Sequence, residues 1–135
     1  LQLHIKNDSM FNTPPVFAVY ACMLMLEWLK KLGGVSEMEK INRQKAELLY
    51  EEIDRNPLFK GTTEISDRSD MNVTFVLSDE ALKDDFDKMW KEAGISGLPG
   101  HRSVGGYRAS LYNALPLESV QVLVDVMKEF GNKKG

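Results

Sequence analysis

Cysteine is nearly absent from this chain. Cys22 stands alone among 135 residues, which excludes an internal disulfide and fits a reducing, cytoplasmic compartment. It lies inside an apolar run and reads as a small buried hydrophobe, not as a reactive thiol. Long hydrophobic runs are absent too. The longest uncharged one, 16–26, is closed by Glu27, so no span and no membrane partner are expected. No basic segment precedes a terminal apolar run, so no signal peptide is read. Excess positive charge is missing: the net charge is -3 and the pI about 5.4, which argues against a broad basic face and against nucleic acid as a partner. Only two histidines occur. His4 and His101 are far apart, with no carboxylate or thiol cluster in register, so no metal site is expected. A phosphate loop and a GxGxxG motif are also missing, as are internal repeats and low-complexity tracts.

One absence is local. Acids number 20 of 135 residues, yet none occurs between Glu92 and Glu118, where an even spread would put roughly four. Inside that gap runs Gly100-His101-Arg102-Ser103-Val104-Gly105-Gly106-Tyr107-Arg108. It sets two arginines and a histidine among glycines. Arginine's planar fork suits carboxylate and phosphate, and glycine lets backbone approach a ligand closely. The segment reads as a holder of a small anion, with the cations at 101, 102 and 108 converging on it.

Hydrophobic residues are 43% and charged residues 27% of the chain, as in a soluble globular domain with a real core. Residues 1–11 read as an irregular or partly extended lead-in. Thr13 can cap a helix that begins at Pro14 and runs to about Leu32. That helix is apolar nearly all round, so it is expected to be buried in a core or an interface. Gly33-Gly34 stop it. Ser36-Glu37-Met38-Glu39 matches a capping box and opens a second helix to about Arg55. Its narrower stripe is Met38, Ile41, Lys45, Leu48, Leu49, Glu52 and Ile53. Asn56-Pro57 breaks it. A short edge strand is expected around 62–65. Alternation over 71–77 marks a half-buried strand. Ser78 can cap a third helix, 79–93. Residues 95–98 read as extended, and 107–112 alternates again. Pro116 opens a last helix that stops near Gly131 and leaves a frayed tail. The order predicts an α+β fold, helices packed on one side of a three- to four-stranded, mostly antiparallel sheet, behind a long buried N-terminal helix.

Several residues carry a candidate chemistry. If Tyr107 and Ala109 face the core, Arg108 points to the other face of its strand, where a guanidinium can fork a carboxylate. His101 and Arg102, in the preceding loop, can together hold a phosphate. Asn12 and Thr13 at a helix start form a second candidate anion site, although Pro14 and Pro15 remove two backbone donors. Each has a plain alternative: a surface salt bridge for Arg108, a solvated loop for His101 and Arg102, simple capping for Asn12 and Thr13.

Ser9-Met10-Phe11-Asn12-Thr13-Pro14-Pro15 and the run from Gly100 to Ala114 closely resemble the phosphoserine aminotransferase family. Trp28-Leu29, Gly33-Gly34-Val35, Asn42, 44–50, Arg68-Ser69, Met71-Asn72-Val73 and Pro116-Leu117-Glu118 do so too, in order, over essentially the whole chain. The resemblance implies the C-terminal part of a fold-type I enzyme dependent on pyridoxal 5'-phosphate. Residues 1–58 would form the junction with the large domain and the dimer partner, and 59–135 the small C-terminal domain. It implies that Asn12 and Thr13 contact the cofactor phosphate across a homodimer interface. His101 and Arg102 would hold the substrate phosphate in the neighbouring subunit's site, and Arg108 the substrate α-carboxylate. The implied reaction moves an amino group from glutamate to 3-phosphohydroxypyruvate, giving phosphoserine and 2-oxoglutarate, a step of serine biosynthesis. No lysine here stands in the family's Schiff-base motif, so no catalytic residue is expected in these residues and the chain alone is expected to be inactive. The competing expectation is a stand-alone, non-enzymatic module that binds a phosphorylated metabolite. A purely structural oligomerisation domain would leave the acid-free segment without a reason.

Overall fold

Strand alternation sets the frame. In the computed structural model, which describes residues 1–134, β2 (Asn72–Leu77) buries Val73, Phe75 and Leu77. β1 (Phe59–Gly61) and β3 (Tyr107–Ser110) flank it, both antiparallel. The sheet has the order β1-β2-β3. Phe59 pairs with Leu77, and Tyr107 with Phe75. Tyr107 and Ala109 turn inward with β2's buried side chains, while Arg108 is exposed.

Three helices, α1 (Gln2–Lys6), α2 (Val16–Lys31) and α3 (Val35–Arg55), precede these strands, and α4 (Lys83–Glu92) lies between β2 and β3. A fifth, α5 (Leu117–Lys134), closes the described chain. The chain divides into two compact units, residues 1–38 and the residues from Glu39 onward. The second unit holds the core. Ala46, Leu49 and Ile53 of α3, Phe86 and Trp90 of α4, and the inner face of α5 cover the inner face of the sheet. Phe59, Phe86 and Phe130 interlock with centroids 5.1–6.1 Å apart. Such aromatic pairs contribute about 0.5–1.5 kcal/mol each beyond simple burial. The expected α+β arrangement is thus present, with three strands.

Three buried polar side chains in this unit, Lys45, Glu52 and Asn56, have partners. Lys45 is fully buried in the α3 stripe. Its ammonium donates to the carbonyls of Tyr112 at 2.8 Å, Leu115 at 3.2 Å and Leu111 at 3.4 Å. It thereby ties α3 to the β3–α5 connection, and burial lowers its pKa from the usual lysine range. Glu52, also buried, accepts from Arg55 and from the Asn56 amide, and Asn56 donates on to the Met127 carbonyl at 3.0 Å.

Several sequence expectations are corrected. The lead-in contains the helix α1. Helix α2 starts at Val16, and Thr13 does not cap it; its N-cap is Pro15, with no side-chain cap bond. None of α2 is buried, so the long buried helix is exposed in this chain. An all-round apolar surface needs cover on more than one side, and within α2 only Trp28 and Leu29 are even half-buried. Ser36 lies inside α3, not at its cap. The edge strand is at 59–61, and 65–67 forms a 3-10 turn. Asp79, not Ser78, caps the turn that leads into α4: its carboxylate accepts from the Ala81 amide, while the Ser78 hydroxyl donates to Pro57 O. The extended stretch at 95–98 shrinks to a single bridge, Pro99 with Tyr107. Finally, α5 continues through Gly131 to Lys134. A Cβ on Gly131 would meet the Asn56 amide at 2.7 Å, so that glycine serves close packing and not termination. Asn132, in the expected frayed tail, is helical; Gly135 lies outside the described residues.

Between α4 and β3 the chain folds back as a hairpin. Gly100 N–H donates to Gly106 O at 2.8 Å, and Arg108 N–H to Leu98 O at 2.8 Å. At the tip the amides of Val104 and Gly105 both donate to His101 O at 2.9 Å. Gly106 has φ of +63°, and a Cβ there would sit 2.8 Å from Val76 Cγ1 and 2.9 Å from Phe75 O. A Cβ on Gly100 would overlap Gly105 O at 2.2 Å. The glycines of this segment therefore build the neck of the hairpin.

Two outcomes are expected. Lys45→Met leaves carbonyls of the β3–α5 connection without a donor and should cost about 2–4 kcal/mol in chemical denaturation; an unchanged midpoint contradicts the tie. Gly106→Ala meets both positive φ and backbone contact and should cost about 1–3 kcal/mol, whereas Gly105→Ala, with open space around its Cβ, should cost less.

Candidate functional site

β3 and its hairpin carry the cations that the sequence singled out. Arg108 is directed outward by the inward burial of Tyr107 and Ala109. Its guanidinium has no ion-pair or hydrogen-bond partner among the described residues. It lines a cleft of about 380 Å³ bounded by 93–98, β3 and the start of α5. The volume lies within the roughly 300–1,000 Å³ of small-molecule sites. Ser96 and Ser119 add hydroxyls to the wall, and Ile95, Leu115 and Val122 add apolar surface. A free guanidinium on a strand beside such a cleft can fork a carboxylate.

His101 and Arg102 are exposed at the hairpin tip. The Ser103 amide donates to His101 Nδ1 at 3.3 Å, and the Ser103 hydroxyl lies 2.8 Å from the same atom. With Nδ1 accepting, the neutral ring carries its proton on Nε2, which is left as a donor for an incoming group. Arg102 makes no ion pair among the described residues. Neither residue lines the cleft of Arg108. The three cations share one hairpin and its strand.

Asn12 and Thr13 are described within the first unit. Both are exposed, just before α2. Their side chains form no hydrogen bond among the described residues. The Val16 amide is taken by Pro14 O at 2.8 Å, and the first full helical bond runs from Val19 N–H to Pro15 O. Phe17 and Ala18 thus supply the first-turn amides at the positive end of the helix.

Sequence reasoning did not find Ser96 and Ser119, or the cleft they wall. Serines in loops give no pattern, and the packing of 93–98 beside β3 is a tertiary fact. It also missed the polar tie beneath Tyr107. Tyr107 O–H donates to Asp87 at 2.8 Å, and Trp90 Nε1–H donates to the same oxygen at 3.0 Å. The one available signal was Asp87, three residues before Trp90 in an otherwise amphipathic helix. Among the described residues no group of three or more potential ligands could hold a metal. Among the described residues no helix is long and apolar enough to cross a membrane.

Comparison with known proteins places this chain in a family. The aminotransferase class-V model matches residues 3–123. The phosphoserine aminotransferase of Flavobacterium psychrophilum is 69% identical over 130 residues, covering 96% of this chain and 36% of that protein. Among solved structures, the phosphoserine aminotransferase of Bacillus circulans subsp. alkalophilus superposes with a TM-score of 0.90 at 44% identity, covering 98% of this chain and 37% of that one. The pyridoxal-phosphate-bound phosphoserine aminotransferase of Trichomonas vaginalis gives 0.83 at 38% identity, covering 94% and 37%. The chain spans little more than a third of the length of these relatives, and its five helices and three antiparallel strands match their C-terminal part. With a match that runs from α1 into α5 and a fold shared at this level, the chain belongs to the aminotransferase class-V family.

Proposed function

We propose that this chain is the C-terminal portion of a phosphoserine aminotransferase that moves an amino group between glutamate and 3-phosphohydroxypyruvate. The observation that carries the reading is the 69% identity over 96% of the chain, joined to an unpaired Arg108 on the rim of a small-molecule cleft. In this reading residues 1–58 form the junction with the rest of the enzyme and with a dimer partner, and 59–135 the small domain. The bare apolar surface of α2 favours that over a stand-alone module, which would leave it in water.

The residues present fit pyridoxal phosphate in part. An amide and a hydroxyl without partners, ahead of first-turn helix amides, are the donor set a phosphate monoester takes, so Asn12 and Thr13 would hold the cofactor phosphate. The cofactor, when bound, supplies the electron sink for amino transfer. The amine that would anchor it is not found here. Lys45 is buried with its protons committed to carbonyls, and the other lysines are solvent-exposed. As the family resemblance implies, the reactive amine belongs to another part of the enzyme, since no lysine here stands in the Schiff-base motif.

The contribution of this part is to bind and orient. Arg108 forks the α-carboxylate that both amino acids share, and so fixes where the α-carbon sits. His101 Nε2–H and the Arg102 guanidinium take the distal phosphate, or the side-chain carboxylate of glutamate in the other half-reaction. Both are exposed at the hairpin tip, and in this reading, as the family resemblance implies, they serve the neighbouring subunit's site.

In the full-length enzyme Arg108→Ala should lower kcat/KM for both half-reactions by about 10–150-fold, the equivalent of roughly 1.5–3 kcal/mol. Arg102→Ala should reduce kcat/KM for phosphoserine more than for glutamate; equal losses contradict the assignment. The 135-residue chain mixed with pyridoxal phosphate should give no protein-bound absorbance band and no amino transfer. A strong band at stoichiometric cofactor contradicts the reading that the amine lies elsewhere.

A further inference from the structure

Tyr107 occupies a singular position in this chain. It opens β3, follows the Gly105-Gly106 neck and precedes Arg108. Its backbone meets Pro99 in the bridge that closes the hairpin. Its ring stacks on Phe75 with centroids 5.3 Å apart and meets Phe86 edge-on at 5.1 Å. Apolar packing of this kind holds the ring in the core but does not by itself fix its tilt or its depth along the strand. The phenol oxygen does. It is anchored on Asp87, in the middle of α4.

Asp87 is built to hold that oxygen. One carboxylate oxygen accepts from Tyr107 at 2.8 Å and from Trp90 Nε1 at 3.0 Å. The other pairs with Lys83, one turn earlier on the same helix. The carboxylate is therefore held from several directions. Burial pushes the Asp87 carboxyl up, but the bonds from Lys83, Trp90 and Tyr107 outweigh it and hold the group below the usual carboxylate range. Burial and then the Asp87 bond push the Tyr107 phenol well above its ordinary value, with Glu80 and Asp84 adding to the rise. Phenol donor and carboxylate acceptor thus keep their roles across the physiological range.

We propose that Asp87 is a positioning residue for the anion-binding groups, holding Arg108 and the His101-Arg102 hairpin in place through the Tyr107 phenol. The inference rests on the substrate reading of those cations given above. Mechanically it is a short path: α4 carboxylate, phenol, strand backbone, then Arg108 one residue on and the hairpin neck on the other side. A shift of the Tyr107 Cα changes the direction of Arg108, because successive side chains on a strand are coupled through the pleat. It also moves the Gly100–Gly106 pair that carries the tip.

Two measurements decide it. In the 135-residue chain, amide hydrogen exchange of Gly100 and Arg108 reports the hairpin bonds to Gly106 O and Leu98 O, with Ser78, bonded to Leu58 O, as an internal control. Tyr107→Phe and Asp87→Ala should speed exchange at Gly100 and Arg108 about tenfold, the scale of one charge-assisted bond, and leave Ser78 within about twofold. Asp87→Asn keeps an acceptor for the phenol and should restore protection. In the full-length enzyme the same variants should raise KM for phosphoserine about five- to tenfold while kcat holds within about twofold. A rise in exchange that is uniform across Gly100, Arg108 and Ser78 overturns the proposal, since it marks simple destabilisation. So does a KM that responds to Arg108→Ala and Arg102→Ala but stays flat in Tyr107→Phe. A KM indifferent to both arginine variants, with hairpin exchange still raised in Tyr107→Phe, overturns the substrate reading and leaves the tie standing.

Discussion

Tyr107 sits where the sheet, α4 and the hairpin meet, and because side chains alternate along a strand, burying its ring against Phe75 and Phe86 obliges Arg108 to face outward. The same burial brings Pro99 alongside β3 and closes the hairpin that lifts His101 and Arg102 clear of the sheet. One side chain therefore couples the core to every cation of the candidate site in this unit. Its hydroxyl would be a liability in a core without a partner. Asp87 removes that cost and adds direction.

The two units carry their apolar residues differently. From Glu39 onward the large hydrophobes of α3, α4 and α5 close over the sheet, and two buried charged groups have partners: Lys45 its carbonyls, Glu52 its arginine and amide. In α2 the apolar residues are distributed around the helix and exposed. Covering one such side chain fully contributes about 1.5–3 kcal/mol. A helix of this composition is stable in a larger assembly because of what lies against it. That agrees with a chain spanning little more than a third of its relatives' length.

Sheet and helix identities were legible because they rest on period. Alternation over 71–77 and 107–112 reads directly as strands with one buried face, the second ending in the structure at Ser110, and the outward direction of Arg108 follows from it. Capping was legible less well. Ser78 and Asp79 are both competent caps, and which one turns toward the helix depends on where Pro57 lies, since its carbonyl takes the Ser78 hydroxyl. Gly131 reads as a stop in sequence but is a point of contact with Asn56. Lys45 breaks an apolar stripe in the sequence, and its reason is a set of carbonyls some seventy residues away. These misses share a cause: the deciding partner is distant along the chain and close in space.

The sequence alone determined the α+β class, the inward and outward faces of β2 and β3, the acid-free cationic segment and the family resemblance, because each is written in local period, local charge or ordered motif. Only the tertiary structure decided that Arg108 lines a cleft walled by 93–98, that Asp87 reaches Tyr107, and that Gly131 packs against Asn56. Each of those is a matter of which distant surfaces meet, and the spacing of residues along a chain does not carry that information.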